Sequence, residues 1–327
     1  MSPRNPYNSR LPMDQNREHL MVQVAKLYYD LEKTQAEIAK ELGLTRWQIS
    51  KLLSEAKAEG VVKIEIIPRS NRKTSLEVTL QKRFGLSDAI VVPMGNITDL
   101  SLMTDAVASA AANYIVNLSP KSPLIGVSWG RTMSAVARAL PSGWNPGTNI
   151  VLVNGATALQ QTSARTSAVA EEFAQSAGGT ATLLPVPAIV GRRSTRVALE
   201  KDPIVERVLE LAKKASVICF GMGGLSEDSV LLSSGYLEPD DTKRLKEAGA
   251  VGDILGRFVD ENGEIVDTEL DDRTVGLRLD QLRKKERAIG VVSGAEKHGI
   301  ALAALRAGYV SVLVTDEATA EILMEAP

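Results

Sequence analysis

The sequence has very little cysteine and histidine. Its 327 residues include one cysteine, Cys219, and two histidines, His19 and His298. A single cysteine excludes an internal disulfide and a multi-cysteine metal site, and two histidines leave too few groups for metal or histidine-based catalysis. We therefore expect no metal, no cofactor and no catalytic residue, and we interpret Cys219 as a buried structural thiol.

Long apolar runs are also lacking. No segment approaches the stretch of about 18 apolar residues that crosses a membrane, and residues 1–20 lack the apolar core of a signal peptide. The composition, with 44% hydrophobic, 24% charged and only 4% aromatic residues, is that of a globular protein long enough for two domains. We expect a cytoplasmic protein without membrane partners.

Charge is distributed unevenly along the chain. The net charge is −2, but residues 1–75 carry 13 Lys and Arg against 9 Asp and Glu, whereas the other 252 residues carry 25 against 31. A small basic segment joined to a large acidic one indicates that only the first segment meets a polyanion.

The N-terminal segment begins with a polar stretch and a helix. Residues 1–16 are rich in Pro, Asn, Ser and Arg without periodicity, which predicts a flexible tail. From Arg17 the pattern becomes helical, with one apolar stripe formed by Leu20, Val24, Leu27 and Leu31.

Two capping boxes follow, at 34–37 and 45–48, and each predicts a helix start. Gly43, between them, is suited to the left-handed backbone that ends the first of these helices. The second helix ends near Gly60 and carries one apolar face, formed by Ile49, Leu52, Leu53 and Ala56. Residues 61–67 then alternate as a short strand does.

This order of elements predicts a winged helix-turn-helix DNA-binding domain over residues 17–67, followed by a basic linker at 68–75. In such a domain the start of the second helix lies in the DNA major groove. The candidate DNA contacts are Gln35, Thr45, Arg46, Trp47, Gln48, Ser50 and Lys51. The alternatives are a plain amphipathic helical hairpin with a solvated polar face and, for Trp47, packing against the core or the wing.

Residues 76–327 alternate strands with helices, which predicts a doubly wound, mainly parallel α/β domain. The predicted strands are 89–92, 124–127, 149–153, 182–184, 217–220, 288–292 and 311–314. The predicted helices are 75–84, 100–118, 132–139, 164–177, 204–215, 282–286, 297–306 and 318–324. A hairpin-like turn with an Asn-Gly pair interrupts the alternation at 257–266.

Three strands run into loops rich in glycine or serine that open a helix, at 124–132, 217–226 and 289–297. Free amides and the positive helix end favour an anion at such junctions, and the carboxyl ends of parallel strands share one crevice. We therefore predict a sugar-phosphate site whose members are Ser128 and Thr132 as hydroxyl donors, Arg131 and Lys297 as cations, and Asp253 or Asp260 as acceptors. The alternative for the two cations is that they are solvated charges on the surface. The alternative for the two aspartates is that they stabilise turns.

From about residue 17 to residue 325, the sequence resembles the SorC-type sugar-binding transcriptional regulators. The resemblance is carried by QAEIAKELGLTRWQISKLLSEAKAEGVVKIEI, IGVSWGRT, LLPVPAIV, FGMGGLSEDSVLLSSGYL, GDILGRFVDENGEIVDTELDDRTVGL and SGAEKHGIALAALRAGYVSVLVTDEATA. It implies a bacterial repressor or activator whose N-terminal module binds an operator. It also implies an effector domain similar in fold to sugar-phosphate isomerases and deaminases, and assembly as dimers and tetramers.

The same resemblance implies roles for individual residues. The first effector-contacting loop corresponds to Ser128, Trp129, Gly130, Arg131 and Thr132, and the second to Gly221, Met222 and Gly223. Lys297 matches a residue that meets the effector's phosphate, and Asp253 falls near the sugar. Gly155 belongs to a third loop, where Asn154-Gly155-Ala156 stands in place of two or more glycines and could narrow the pocket, as could 292–295. One family branch forms a Schiff base through a lysine, but 157–166 contains none, so reversible binding is expected.

The combined prediction is a DNA-binding transcriptional regulator, a repressor in the first instance, of carbohydrate metabolism genes. Its expected partners are operator DNA, a sugar or sugar-phosphate effector, and further copies of itself in a dimer or tetramer. The alternative is a sugar-phosphate isomerase or deaminase with an accessory N-terminal module. For that chemistry Asp253, Asp260 and Glu227 are the acid–base candidates, but no spacing pairs them.

Overall fold

The computed structural model describes residues 13–62, 73–156, 168–226 and 229–326. The chain divides into two compact units, Met1–Ser70 and Asn71–Pro327. Within the four described ranges, no helix combines the length and apolar character that a membrane crossing requires.

Three helices form the described part of the first unit. Helix α1 spans Met13–Ala25 and continues as a π-helical segment, Lys26–Asp30, and α2 (Gln35–Leu42) and α3 (Arg46–Ala58) follow. Both predicted capping boxes are present, because the Thr34 and Thr45 side chains each accept a hydrogen bond from the backbone three residues on. Gly43 ends α2 with a φ of 66°, the left-handed backbone that glycine adopts without strain. The helix-turn-helix prediction is therefore confirmed.

One apolar cluster holds these helices together. Its buried members are Met21, Val24, Leu27, Ile38, Ala39, Ile49, Leu52, Leu53 and Ala56. The prediction for Leu31 is wrong, since its exposed fraction is 62%. The π-helical segment makes Leu31 N donate to Lys26 O, five residues back, and this change of helical period turns the stripe away from the core.

Two other N-terminal predictions need correction or lie outside the described residues. Residues 13–16 belong to α1 rather than to a flexible tail, and residues 1–12 are outside the described ranges. Val61 and Val62 form a bend that packs against the apolar cluster. The remainder of the predicted strand, and with it the wing, falls on residues outside the described ranges.

The second unit is built on a sheet whose seven main strands are parallel, which confirms the predicted mainly parallel α/β class. The strands are β1 (Asp88–Val92), β2 (Leu124–Val127), β3 (Asn149–Leu152), β4 (Thr180–Thr182), β5 (Val217–Gly223), β8 (Arg287–Val291) and β9 (Val312–Asp316). Their order in the sheet is β1-β9-β8-β5-β2-β3-β4. An antiparallel hairpin, β6 (Gly252–Ile254) and β7 (Arg257–Val259), pairs with the end of β5.

Helices cover both faces of this sheet. The elements are α4 (Thr74–Phe84), α5 (Leu100–Val116), α6 (Arg131–Ala139), α7 (Ala168–Ala177), α8 (Arg193–Glu200), α9 (Pro203–Lys214), α10 (Val230–Ser233), α11 (Pro239–Glu247), α12 (Thr268–Arg273), α13 (Leu279–Leu282), α14 (His298–Arg306) and α15 (Glu317–Glu325). Side chains of β5 alternate between two cores: Cys219 joins α5, α6 and α7, whereas Ile218 and Phe220 join α4, α9, α14 and α15. Cys219 is fully buried, and burial raises the pKa of its thiol, as expected for a structural cysteine.

Several element boundaries differ from the predictions. The helix predicted at 282–286 is wrong, because α13 occupies Leu279–Leu282. Strand β4 begins two residues before the predicted strand 182–184 and ends at Thr182. The predicted helix 164–177 is described from Ala168 onward. The hairpin-like turn predicted at 257–266 is present, since Val259 and Ile265 form an antiparallel bridge. Helices α8, α10, α11 and α12 and strand β6 were not predicted, because these segments are too short for a strong periodic pattern.

The sheet order creates a switch point between β2 and β5. Successive strands β2, β3 and β4 run towards one edge, and β5 then lies on the other side of β2. In open α/β sheets the crevice at this position is where ligands bind.

Candidate functional site

A cleft of about 680 Å³, including its open mouth, lies at this switch point. Ten of the eleven predicted effector residues line it: Ser128, Trp129, Gly130, Arg131, Thr132, Gly221, Met222, Gly223, Asp253 and Lys297. Loops far apart in sequence are thus brought together by the parallel sheet.

The first wall is the β2–α6 loop. Ser128 N donates to Cys219 O at 3.1 Å, and Ser128 Oγ accepts from Gly221 N at 3.3 Å, so the serine joins this loop to β5. The Ser128 hydroxyl hydrogen is left to donate elsewhere. Gly130 precedes α6 with a φ of 128°, and the first-turn amides of this nine-residue helix have no partner within the helix. This geometry favours an anionic group at the helix start.

Trp129 forms a second wall of the cleft, and its indole contacts the predicted effector residue Gly155. The Trp129 indole is almost buried, its Nε1 donates to Gly155 O at 2.7 Å, and its ring centroid lies 6.2 Å from that of Tyr236. A Cβ at Gly155 would come within 2.3 Å of Pro187 O. The structure therefore places Gly155 behind Trp129, where it accepts the indole N–H and does not line the cleft.

Charges of both signs face the cleft. Asp253 Oδ2 accepts from Gly256 N at 2.9 Å. Burial raises the pKa of Asp253 to about 6, against the opposing effects of that hydrogen bond and of Lys297. Burial also lowers the pKa of Lys297, and Arg131 lowers it further, whereas Glu296 and Asp253 raise it. The cleft thus combines two cations with a carboxyl group that titrates near neutrality.

Asp260 does not belong to this cleft. Its carboxylate accepts from Asn262 N and Glu264 N, both at 2.9 Å, and so stabilises the turn that leaves β7. The turn-former interpretation of Asp260 therefore fits the structure, and Asp253 is the aspartate that lines the cleft. Glu227 lies outside the described residues.

Sequence reasoning missed other lining residues, of which Asn154, Ser226, Ser229 and Glu296 are polar. Asn154 is the most enclosed, with an exposed fraction of 3%. The sequence contains one indication of Asn154: it belongs to the Asn154-Gly155-Ala156 segment, which stands in place of the two or more glycines of the family. Ser226 and Ser229 lie beyond the second glycine loop, where the sequence shows no regular pattern.

The second candidate site is the exposed side of α3. Arg46, Trp47, Ser50 and Lys51 face away from the apolar cluster, and the exposed fraction of Trp47 is 70%. Lys51 Nζ lies 5.4 Å from the centroid of the Trp47 ring. An exposed aromatic beside two cations suits contact with nucleic acid.

Two predicted DNA contacts also have a structural task. Gln48 Oε1 accepts from Thr45 N at 2.8 Å and from Thr45 Oγ1 at 2.9 Å, and Thr45 Oγ1 accepts from Gln48 N at 3.3 Å. Thr45 and Gln48 therefore fix the start of α3, and the Gln48 Nε2 group is the part left for a base. Gln35, the first residue of α2, is half-buried.

Comparisons with known proteins agree with this fold. Residues 69–325 match the family model Sugar-bind, which describes a sugar-binding domain. The chain belongs to the SorC-type family of sugar-binding transcriptional regulators.

Two relatives span almost the whole chain. The deoxyribonucleoside regulator of Bacillus subtilis (strain 168) is 30% identical over 312 residues, covering 95% of this chain and 99% of that protein. The sorbitol operon regulator of Klebsiella pneumoniae is 27% identical over 308 residues, covering 94% of this chain and 98% of that protein. The crystal structure of full-length SorC from Klebsiella pneumoniae matches with a TM-score of 0.72 and 28% identity, over 94% of this chain and 98% of that one.

Proposed function

We propose that this protein is a DNA-binding transcriptional regulator of carbohydrate metabolism genes that is controlled by reversible binding of a sugar or sugar phosphate. The observation that carries the proposal is the composition of the cleft. A helix start, Arg131 and Lys297 offer an anion site, and Asp253 and Ser128 offer hydrogen-bonding groups for hydroxyls.

The names of the relatives support this class of effector. They include regulators of a sorbitol operon, of deoxyribonucleosides and of erythritol catabolism. Sorbitol and erythritol, which two of these names mention, each carry several hydroxyl groups. We infer that the effector of this protein has the same chemistry and that its phosphate, where it has one, binds at Arg131, Lys297 and the start of α6.

The division of the chain at Ser70 supports a two-domain arrangement. We propose a DNA-binding domain over 17–67, a linker over 68–75, and an effector and oligomerisation domain over 76–327. A two-fold dimer, or a tetramer built from such dimers, would place recognition helices about 34 Å or a multiple apart and read an inverted repeat. A regulator of this kind works on the chromosome, so the proposal places it in the cytoplasm.

Within the DNA-binding domain, Arg46, Trp47, Ser50 and Lys51 are proposed as direct contacts. Thr45, Gln48 and Gln35 are proposed at the edge of the contact, with Thr45 and Gln48 acting chiefly through the α3 cap. Effector binding changes operator affinity only if the ligand binds one arrangement of the DNA-binding heads better than the other.

We propose binding without turnover. A carboxyl with a pKa near 6 in a cleft is also a property of acid–base catalysts, so a sugar-phosphate isomerase or deaminase is the second candidate. The relatives are named as regulators, which favours binding. Conversion of pentose, hexose or hexosamine phosphates by the purified protein would favour the enzyme instead.

A thermal-shift panel on the full chain tests the proposal. The panel contains sugar phosphates, the corresponding free sugars and polyols, and inorganic phosphate. A ligand that binds only the folded state raises Tm, by an amount set by its concentration relative to Kd. We expect at least one sugar, polyol or sugar phosphate to raise Tm well beyond inorganic phosphate, and a panel without any such compound contradicts the proposal.

A further inference from the structure

Asn154 presents an unsatisfied polar group beside the cleft. It follows β3, lines the cleft, and has an exposed fraction of 3%. Its buried Oδ1 accepts no hydrogen bond from any of the described residues. Buried acceptors are normally paired, and an unpaired one is unfavourable until a ligand or a water donates to it.

This combination is particular to Asn154 within the described part of the chain. The other buried polar atoms without a partner there belong to Ser234, Arg273, Ser293, His298 and Thr315, and these residues do not line the cleft. An unsatisfied acceptor and a place in the lining of the cleft thus coincide at one side chain.

The backbone around Asn154 is held on both sides. Asn154 forms an antiparallel bridge with Gly276, while Gly155 N donates to Val275 O at 3.2 Å and Leu277 N donates to Val153 O at 2.8 Å. Gly276 has a φ of 137°, and a Cβ there would lie 2.7 Å from the Asn154 Cα. The Asn154 side chain therefore starts from a fixed position beside the cleft.

Arg257 stabilises the backbone segment that pairs with Asn154. Its guanidinium is buried and donates to the carbonyls of Thr274, Gly276 and Leu277, and it also pairs with Asp271. Arg257 lies on the same β6–β7 hairpin as Asp253. The β6–β7 hairpin thus carries the Asp253 carboxyl and, through Arg257, also fixes residues 274–277, which pair with the backbone around Asn154. A binding side chain that is held in place in this way is preorganised.

We infer that Asn154 is a specificity-determining residue that accepts a hydrogen bond from a hydroxyl of the sugar or polyol part of the effector. The inference rests on the proposed function. A phosphate is mostly without its last proton at pH 7 and offers the amide oxygen little to accept, whereas each sugar hydroxyl is a donor. Asn154 therefore binds the neutral sugar or polyol part of the ligand, and the phosphate binds to Arg131 and Lys297.

Isothermal titration calorimetry on the full chain tests this division. The probes are ribose 5-phosphate, glucose 6-phosphate, sorbitol 6-phosphate and inorganic phosphate, each measured with the unmodified protein and with Asn154→Ala. We expect the variant to bind the sugar phosphates about 3- to 12-fold more weakly, the value of one net hydrogen bond. Affinity for inorganic phosphate should change by less than about twofold, because no contact with the cations is lost.

Asn149→Ala is the matched control. Asn149 stands at the opposite end of β3, and its side chain accepts from Thr182 Oγ1 rather than facing the cleft. We expect unchanged affinity for every probe. Asn154→Ser is the second variant, and it should show the same pattern as Asn154→Ala if the alanine protein does not fold.

Deoxy analogues give a readout that a structural role would not produce. Singly deoxygenated ribose and glucose phosphates are compared in both proteins. The analogue that lacks the contacted hydroxyl should bind more weakly to the unmodified protein but no more weakly to Asn154→Ala, because the two deletions remove the same interaction.

The outcomes separate this inference from the function on which it rests. Failure of every sugar, polyol and sugar phosphate to bind the unmodified protein overturns both. Sugar phosphates that bind Asn154→Ala with unaltered affinity overturn the inference alone and indicate that a water satisfies the amide. A lowered ligand-free Tm with equal losses for inorganic phosphate and sugar phosphates indicates a structural role and likewise overturns it.

Discussion

Asp253 and Gly223 face each other so closely that a Cβ on Gly223 would come within 2.0 Å of Asp253 Oδ1. The two residues are paired where β6 joins the end of β5. The glycine thus allows the carboxyl group to lie against the backbone in the lining of the cleft. The close approach joins the β6–β7 hairpin to the switch point of the sheet.

Gly223→Ala should disrupt this approach. The methyl group forces Asp253 and the hairpin to move, which we expect to lower the free energy of unfolding by about 1–3 kcal/mol and to weaken sugar-phosphate binding. Gly221→Ala is the control, because its Cβ would meet Thr132 at 3.5 Å, an ordinary contact. Chemical denaturation measures both variants, and equal stability losses for the two would contradict the account.

The raised pKa of Asp253 predicts a pH-dependent stability. Its ordinary value is 3.8 and its folded value is about 6, so the folded state holds the proton more tightly than the unfolded chain. The contribution to stability is therefore greatest below about pH 4 and falls as the pH rises to about 6. Asp253→Asn should raise the ligand-free Tm at pH 8, and this gain should shrink towards pH 4. A gain that is the same at both pH values would argue against the assignment.

Arg131 and Lys297 should select for anionic ligands. Arg131→Ala and Lys297→Ala each remove a charged hydrogen-bond donor, which we expect to cost about 1.5–3 kcal/mol of sugar-phosphate binding and little binding of free sugars. Arg138→Ala is the matched control, because Arg138 lies on α6, near Asp105, outside the cleft. Calorimetric titration of each variant with sugar phosphates and free sugars measures these losses of affinity. A second groove beside the cleft is lined by Asp105, Arg138 and Lys297, among others. A larger loss for Arg138→Ala would place the anion in that groove.

Substitutions in α3 should separate base contacts from the helix cap. Arg46→Ala is expected to weaken specific DNA binding by about 1–3 kcal/mol without changing the stability of the domain. Gln48→Ala should also destabilise the helix start by about 0.5–2 kcal/mol, because the capping box is lost. Lys57→Ala, near the end of α3, is the control. Fluorescence anisotropy and thermal melts measure the two effects, and full DNA affinity in Arg46→Ala would contradict the placement of α3.

Features that depend on local sequence could be predicted. The capping boxes at Thr34 and Thr45 need only neighbours three residues away, and the glycine-rich ends of β2 and β5 are contiguous patterns. The parallel sheet then brings those ends together, so ten of the predicted effector residues line one cleft. Because ligands of open α/β sheets bind at the carboxyl ends of the strands beside the switch point, these local patterns were enough to predict the position of the site.

Features that depend on distant partners could not be predicted. Asn154 is defined by its bridge to Gly276, and Gly155 by the Trp129 indole and Pro187. Leu31 is exposed because a π-helical segment changes the period of the helix before it. The sequence around each of these residues does not specify its distant partners.

The most direct test of the central claim is DNA affinity measured with and without effector. A high-affinity fragment is selected from a random-sequence pool, and the full chain is titrated onto it in the absence and presence of the sugar, polyol or sugar phosphate that raises Tm most. We predict that a saturating ligand changes DNA affinity at least about tenfold, a coupling of roughly 1.4 kcal/mol. We also predict that a protein carrying both Arg131→Ala and Lys297→Ala loses the effect when the ligand is a sugar phosphate. Equal DNA affinity with and without a ligand that demonstrably binds would contradict the account.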